Sequence, residues 1–581
     1  MFNWNNFLKD NKWDIICILV LLSFILSIGI FRLYTQIDVG IGNWDTYLYL
    51  ANGRSFAKMG YGDVASISPV VPYILSIIFR IVGHPFEESI FILDTMGYIL
   101  GVIALYLILR FRFDYYISLI GCVIFGSFTL LLSWVALGGN DIVGMSLMLC
   151  AIYFILKAKF NNWKWLYIAL PLSAFAFLAR YTSGILLFSL IFYLFMDGIN
   201  KEKITYLIKS SIFGIILVSP ALYHFNRILG TPFPFLGQFS GTVSNTAVID
   251  AGYLPNIFYY ITNLPTYLFS SIPYKSTFEA VINPSGNIVN LLGYLMVGLL
   301  LLAFVFYLVD IYKGLASNNI KNNKYILTGI CIVILLFVLT FNTVSYLVSI
   351  ILMFIGLYLV YLLVNNLKLN DKIPDIDFFM FGLFGSFLIF ESILSTKNDR
   401  YFITTLPFIA YFISVSISRL MNYYDLNPII YGHITRKHIL TGLIIILLLI
   451  SSLGFISSIP KHNHFNYVKE SCNWYEDTYS NNNTTVIYSD NWPAVNWYLN
   501  KYIHRAVPYS QFPNVENETW RFSNYLENSP AKADYYFDTN SIEKLEYPGF
   551  NKLKTIGEVV IYKNEHTFNN SSYINNSTKS I

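Results

Sequence analysis

The chain has 581 residues, 55% of them hydrophobic and only 12% charged, with a mean hydropathy of +0.53 and a formal net charge of +4. A soluble protein would carry about a quarter charged residues, so the composition excludes one and points to a polytopic membrane protein. The small net charge selects no partner. Cys17, Cys122, Cys150 and Cys331 lie in apolar runs and Cys472 stands alone in the polar tail, which excludes a disulfide framework and a cysteine metal site.

In chain order, Met1 to Trp13 carries Lys9, Asp10 and Lys12 ahead of a long apolar run with no small-residue cleavage pattern behind it. This reads as an uncleaved first span rather than a signal peptide. At about 20 apolar residues per crossing, the chain predicts about thirteen transmembrane helices, centred on 15–31, 89–109, 117–137, 142–156, 166–179, 184–196, 204–223, 288–309, 325–341, 344–364, 378–394, 402–417 and 439–459. Eighteen Lys and Arg fall on connections on the side of the N-terminus and nine on the longer opposite loops. The positive-inside rule then puts the N-terminus in the cytoplasm and everything after Pro460 outside the cytoplasmic (cell) membrane. Every Asn-x-Ser/Thr acceptor (Asn482, Asn483, Asn517, Asn569, Asn570, Asn575, Asn576) lies in that exported tail, although an Asn-rich tail also makes such sites by chance.

The outer loops hold the chemistry. Residues 32–88 include Asp38, Asp45, Arg54, Lys58, Asp63 and His84, and the apolar run 70–82, too short to span and suited to lying flat at the interface. The next outer connection, Gly138-Gly139-Asn140-Asp141, is tight, and 224–287 is rich in Pro, Gly, Tyr and Phe, as a folded lid would be. The sequence therefore divides into a transmembrane domain, 1–460, and an extracytoplasmic domain, 461–581. In the latter, strand-like runs (485–489, 533–538, 558–562) alternate with helical ones (494–501, 520–527), predicting a small α/β domain with a disordered end. No Gly-rich loop comes after its first strand, so no nucleotide site is expected there.

Asp45 lies just beyond the hydrocarbon edge, flanked by Trp44 and Tyr47, which would desolvate it. Charge in that position is costly unless something uses it; the alternative is that Asp45 caps a helix predicted over 46–58. Asp141 opens the fourth span with the same two options. Arg180 and Arg400 stand at outer helix ends, where a guanidinium either forks onto phosphate or snorkels to headgroups, and Lys397 accompanies Arg400. Asp94 and Glu391 lie about a turn inside apolar runs near the same face, each suited to pairing with a neighbouring Arg. Asp45 and Asp141 would be the ligands if a divalent cation is used, but no His joins them at ligand spacing.

The stretches Asp45-Thr46-Tyr47-Leu48-Tyr49-Leu50-Ala51, Gly60-Tyr61, Ser68-Pro69-Val70-Val71-Pro72-Tyr73 and Gly83 resemble the first outer loop of C-type (GT-C) membrane glycosyltransferases. The branch concerned is that of the protein O-mannosyltransferases and lipid A aminoarabinose transferases. Asp141 opening a span, Ala179-Arg180-Tyr181-Thr182-Ser183-Gly184, and Arg400-Tyr401 six residues before Pro407 are similar to that branch in order and sidedness. Where the family commonly has an acidic pair, this chain has Trp44-Asp45-Thr46, with one carboxylate. The tail stretches Tyr488-Ser489-Asp490-Asn491-Trp492-Pro493 and Trp497-Tyr498-Leu499 resemble terminal domains of archaeal members.

The resemblance implies a GT-C-like fold that moves a sugar from a polyprenyl-phosphate donor to a lipid, protein or glycan acceptor outside the membrane, with no nucleic acid involved. Read onto that reaction, the residues give Asp45 as the base, favoured by its family-like position, Asp141 as a second catalytic carboxylate, Arg400, Arg180 and Lys397 on the donor phosphate, and Trp44, Tyr47 and Arg54 on substrate. The competing readings are a lipid-linked glycan transporter or flippase and a polysaccharide polymerase or ligase. Charges gathered at one face rather than the midplane disfavour transport, and active loops early in the chain disfavour a polymerase.

Overall fold

The computed structural model describes residues 12–62, 67–233, 256–273, 279–282, 284–317, 323–394, 397–424, 429–431, 434–479, 485–505, 533–539 and 550–564. The helical run expected at 520–527 and all seven glycosylation acceptors lie outside these residues, as does part of the 224–287 loop.

The apolar runs form the helices α1 (Lys12–Val39), α2 (Trp44–Phe56), α3 (Val70–Val82), α4 (Glu88–Leu109), α5 (Tyr115–Gly126), α6 (Thr129–Trp134), α7 (Asp141–Phe160), α8 (Leu166–Ala179), α9 (Leu186–Phe195), α10 (Lys201–Leu229), α11 (Leu291–Ser317), α12 (Lys324–Thr340), α13 (Tyr346–Asn366), α14 (Asp375–Ile393), α15 (Leu406–Tyr423) and α16 (Arg436–Ser457). Among the described residues, eight of these (α1, α4, α7, α10, α11, α13, α14 and α16) are long and apolar enough to cross a bilayer. The chain is an α-helical polytopic membrane protein. Its outer helices agree: α12 buries none of its residues, and Ile208, Ile212, Phe213, Ile215 and Ile216 of α10 stand exposed, a surface that lipid tolerates and water does not.

Backbones approach closely where small residues allow it. A Cβ at Gly97 would lie 3.5 Å from the Val143 Cα, and one at Gly101 would lie 3.1 Å from the Met145 Cε, so this small-x-x-x-small pair seats α4 on α7.

Two expected spans are built differently from a single helix. The run 117–137 is broken after Gly126, because Phe128 is extended (φ −60, ψ 128) and caps the short α6. The run expected from 288 starts its helix at Leu291, since Ile288 and Val289 pair antiparallel with Ser271 and Ser270. The two runs around Arg180 are separate helices, as expected, because Arg180 itself is extended (φ −147, ψ 112).

The C-terminal domain contains α17 (Phe465–Tyr479), β1 (Ile487–Ser489), α18 (Trp492–Leu499), β2 (His504–Arg505), β3 (Tyr535–Asp538), β4 (Phe550–Ile556) and β5 (Val559–Asn564). Its sheet has the order β2-β1-β3-β5-β4. β1 runs parallel to β2 and β3, with Tyr488 opposite His504 and Tyr536; β5 is antiparallel to β3 and β4, with Tyr562 opposite Tyr536 and Lys552. Three of these strands and α18 fall on runs read from the sequence.

Candidate active site

α2 begins one residue before Asp45. Its N-cap is Asn43, whose Oδ1 accepts from the Asp45 backbone N at 3.3 Å, so Asp45 is not the cap. The Asp45 carboxylate is instead free to leave the helix, and it pairs with Arg400 Nη1. Arg400 lies on a 3-10 helix, Asp399–Thr404, capped by the Asn398 side chain. Burial alone would lower the Arg400 pKa, but the Asp45 charge, with Tyr401 and Tyr49, holds it above its ordinary value.

Asp141 opens α7 and pairs with Arg180. Gly144, one turn on, makes room: a Cβ there would come 2.5 Å from the Arg180 Cβ. Burial, and then the Arg400 charge, lower the Arg180 pKa to about 10. The two pairs adjoin, for Arg180 Nη2 donates to the Arg400 carbonyl at 3.4 Å, and both guanidinium carbons lie over the Tyr401 ring, at 5.7 and 5.6 Å. Arg400 also lies over the Trp134 ring at 5.7 Å.

The turn after α6 brings these parts together. Ala136 has φ 61, uncommon for a residue with a side chain, and Gly138 has φ 93. Asp94 accepts from the Gly138 and Gly139 N–H groups at 2.8 and 3.1 Å, and Thr46 donates to the Gly138 carbonyl, tying the turn to α2. Asn140 Nδ2 donates to Ser68 Oγ at 2.9 Å and to the Ala179 carbonyl at 3.1 Å. Asp94 therefore holds a loop rather than an arginine. Glu391 likewise accepts from the Thr404 and Thr405 hydroxyls, both at 3.1 Å, and steadies the 3-10 helix of Arg400.

Four residues expected at the site have other partners. Lys397 is buried and donates to the Glu391 and Ser392 carbonyls at 2.7 and 2.6 Å, closing the end of α14. Burial pushes its ammonium down to about 8, against the pull of Glu391. Arg54 donates to the Asn496 and Trp497 carbonyls at 3.0 and 2.7 Å and to the Tyr61 carbonyl at 3.0 Å, and lies 5.0 Å from the Trp497 ring centre. Tyr47 bonds its hydroxyl to that of Tyr498 at 3.0 Å, and Trp44 meets Trp492 edge to face at 4.8 Å. Trp44, Tyr47 and Arg54 thus grip the C-terminal domain along one helix.

Several residues that sequence reasoning passed over contribute. Asp399 accepts from the Tyr259 and Tyr267 hydroxyls at 2.7 and 2.6 Å and from the Ser285 N–H at 2.8 Å, anchoring the described parts of the 224–287 loop beside Arg400. An Asp next to an Arg at a helix start was its only signal. Trp134 gave none beyond that of any Trp at the end of an apolar run.

The donor set does not suit a divalent cation, since each carboxylate already carries a guanidinium, and among the described residues no group of three or more His, Cys, Asp or Glu gathers. The cluster offers one partly open carboxylate beside two fixed positive charges and aromatic rings, a combination able to take a proton and to receive an anion.

The helix order and the C-terminal sheet are those of a GT-C-type membrane fold. By structure the chain is similar to ArnT from Cupriavidus metallidurans bound to undecaprenyl phosphate, with TM-score 0.53 and 10% identity over 95% of this chain and 98% of that one. It is similar to apo ArnT from the same organism with TM-score 0.53 and 9% identity over the same shares. The family described as dolichyl-phosphate-mannose-protein mannosyltransferase matches residues 66–224, a stretch that includes Asp141 and Arg180 and begins after Asp45. No curated protein matches by sequence. The family match and the shared fold support a glycosyltransferase.

Proposed function

We propose that the chain transfers a sugar from a polyprenyl-phosphate donor to an acceptor hydroxyl at the outer face of the cytoplasmic membrane. The observation that carries this reading is the meeting of two Asp–Arg pairs, drawn from four separated segments, at one end of the helix bundle. ArnT of this fold has been crystallised with a lipid phosphate, and the matching family is described by a lipid-phosphate sugar, which supports the same donor class here.

In this reading the acceptor oxygen attacks the anomeric carbon and its proton passes to Asp45. The bond from that carbon to the phosphate oxygen breaks, and the electron pair leaves on the polyprenyl phosphate. Arg400 and Arg180 offset the charge that accumulates there. The donor phosphate competes with Asp45 for Arg400 and so frees the carboxylate when the donor is in place. Asp141 holds Arg180 in position. Lys397, if it acts on the donor, does so through the end of α14.

The test is a transfer assay with purified protein and labelled polyprenyl-phosphate hexoses and pentoses. Sugar appearing on an acceptor, with polyprenyl phosphate released in step, is the expected result. Movement of intact lipid-linked sugar across vesicles, with no bond broken, would sink the reading in favour of a transporter.

A further inference from the structure

Arg400 gives Asp45 only its Nη1. Three other side-chain N–H groups around that pair are buried and have no hydrogen-bond partner: Arg400 Nε, the Trp134 indole Nε1 and Asn43 Nδ2. Folded proteins leave few buried donors unpaired, and a group of them calls for an explanation. The Trp134 ring lies 5.7 Å from the Arg400 guanidinium carbon, and Asn43 caps the helix whose Asp45 holds that guanidinium, with its Oδ1 on the Asp45 N–H.

Trp134 and Asn43 sit on fixed backbone. The end of α6 is fixed by the buried Arg32, which donates to the Leu132 and Ser133 carbonyls at 3.1 and 3.2 Å, and the Ala136 turn fixes the chain beyond it. Asn43 has its Oδ1 committed to the Asp45 N–H, which leaves its Nδ2 aimed elsewhere. All three are N–H donors, one of them on a permanent cation, and the carboxylate beside them, Asp45, is already taken by Arg400 Nη1. A sugar hydroxyl would also need acceptors; an oxyanion needs only donors.

We propose that Asn43 and Trp134, with Arg400 Nε, form a cradle for the phosphate of the lipid donor. This rests on the transferase reading and adds two uncharged ligands to it. Their chemistry suits the reaction: the donor is a phosphodiester, the product a monoester of greater negative charge, and fixed N–H groups grip harder as that charge grows in the transition state.

The test uses Trp134→Phe, which keeps the ring and removes its N–H, and Asn43→Ser, which keeps a capping oxygen and removes the amide donor. Binding of undecaprenyl phosphate and of undecaprenol is measured for full-length protein in detergent. Wild type should prefer the phosphate. Each variant should lose about tenfold in phosphate affinity, and the pair about a hundredfold, with undecaprenol binding unchanged. Unaltered phosphate affinity in folded variants, or an equal loss for the alcohol, overturns the cradle and leaves the transferase reading standing. A wild type indifferent to the phosphate overturns both. Should Trp134→Phe not fold, Asn43→Ser alone carries the same outcomes.

Discussion

The two Asp–Arg pairs are made of the same groups at different depths. The side chains of Asp45 and Arg400 are 24% and 21% exposed, those of Asp141 and Arg180 2% and 5%. An ion pair that keeps some contact with solvent comes apart at less cost than a fully buried one, where removing one member strands a charge in a low dielectric. The contrast teaches that only the first pair is suited to opening for a ligand at each turnover. The second is suited to holding a guanidinium still.

The harshest test of that contrast is Asp141→Asn, which leaves Arg180 buried without its counter-charge. It should lower unfolding stability by about 3 to 5 kcal/mol, read by denaturant titration. A variant as stable as wild type would break the distinction. Asp45→Asn should do the reverse: melting stays near wild type because Asn43 supplies the cap, while turnover falls by roughly 100-fold or more. Arg400→Ala should weaken kcat/KM for the lipid donor by about 1.5 to 3 kcal/mol, the worth of a charge-assisted contact. Unchanged donor kinetics there would make Arg400 an anchor only.

A pH dependence sharpens the same lesson in the terminal domain, where the buried acid Asp490 is held by a threonine rather than by an arginine. Its oxygens accept from the Thr539 N–H at 2.8 Å and hydroxyl at 3.0 Å, and burial, then the Asp538 charge, push its pKa up to about 7. The folded chain then holds this proton more tightly than the unfolded one, whose Asp titrates at about 3.9. The stabilisation is complete below that value and is lost as pH rises through about 7. Asp490→Asn should flatten this dependence, measured as melting temperature between pH 4 and 8; an equally steep curve in the variant would assign it to other groups.

How much the sequence revealed depended on the range of the interactions. Long apolar runs are local, and they led to helices throughout. Asp45, Asp141, Arg180 and Arg400 were legible because each sits in a short pattern resembling a known family, and the structure does bring the four together. Trp44, Tyr47 and Arg54 read as substrate residues because they share the first outer loop with Asp45. Their partners Trp492, Tyr498, Asn496 and Trp497 lie more than 400 positions away, and no pattern in one sequence links such pairs. Lys397 misled for a similar reason: a lysine beside an arginine looks like a phosphate site, but its tether reaches back to the carbonyls of the preceding helix.

The grip of Arg54 on Trp497 spans 443 positions, and that sets an order of assembly. A ribosome adding 5 to 20 residues per second needs roughly 20 to 90 s to make the intervening chain. Throughout that interval α2 exists without the carbonyls that Arg54 grips at its far end. The Asp45–Arg400 end of the protein is therefore finished last, although Asp45 is among the first residues made, and a nascent chain stalled before α18 lacks a support of the helix that carries Asp45.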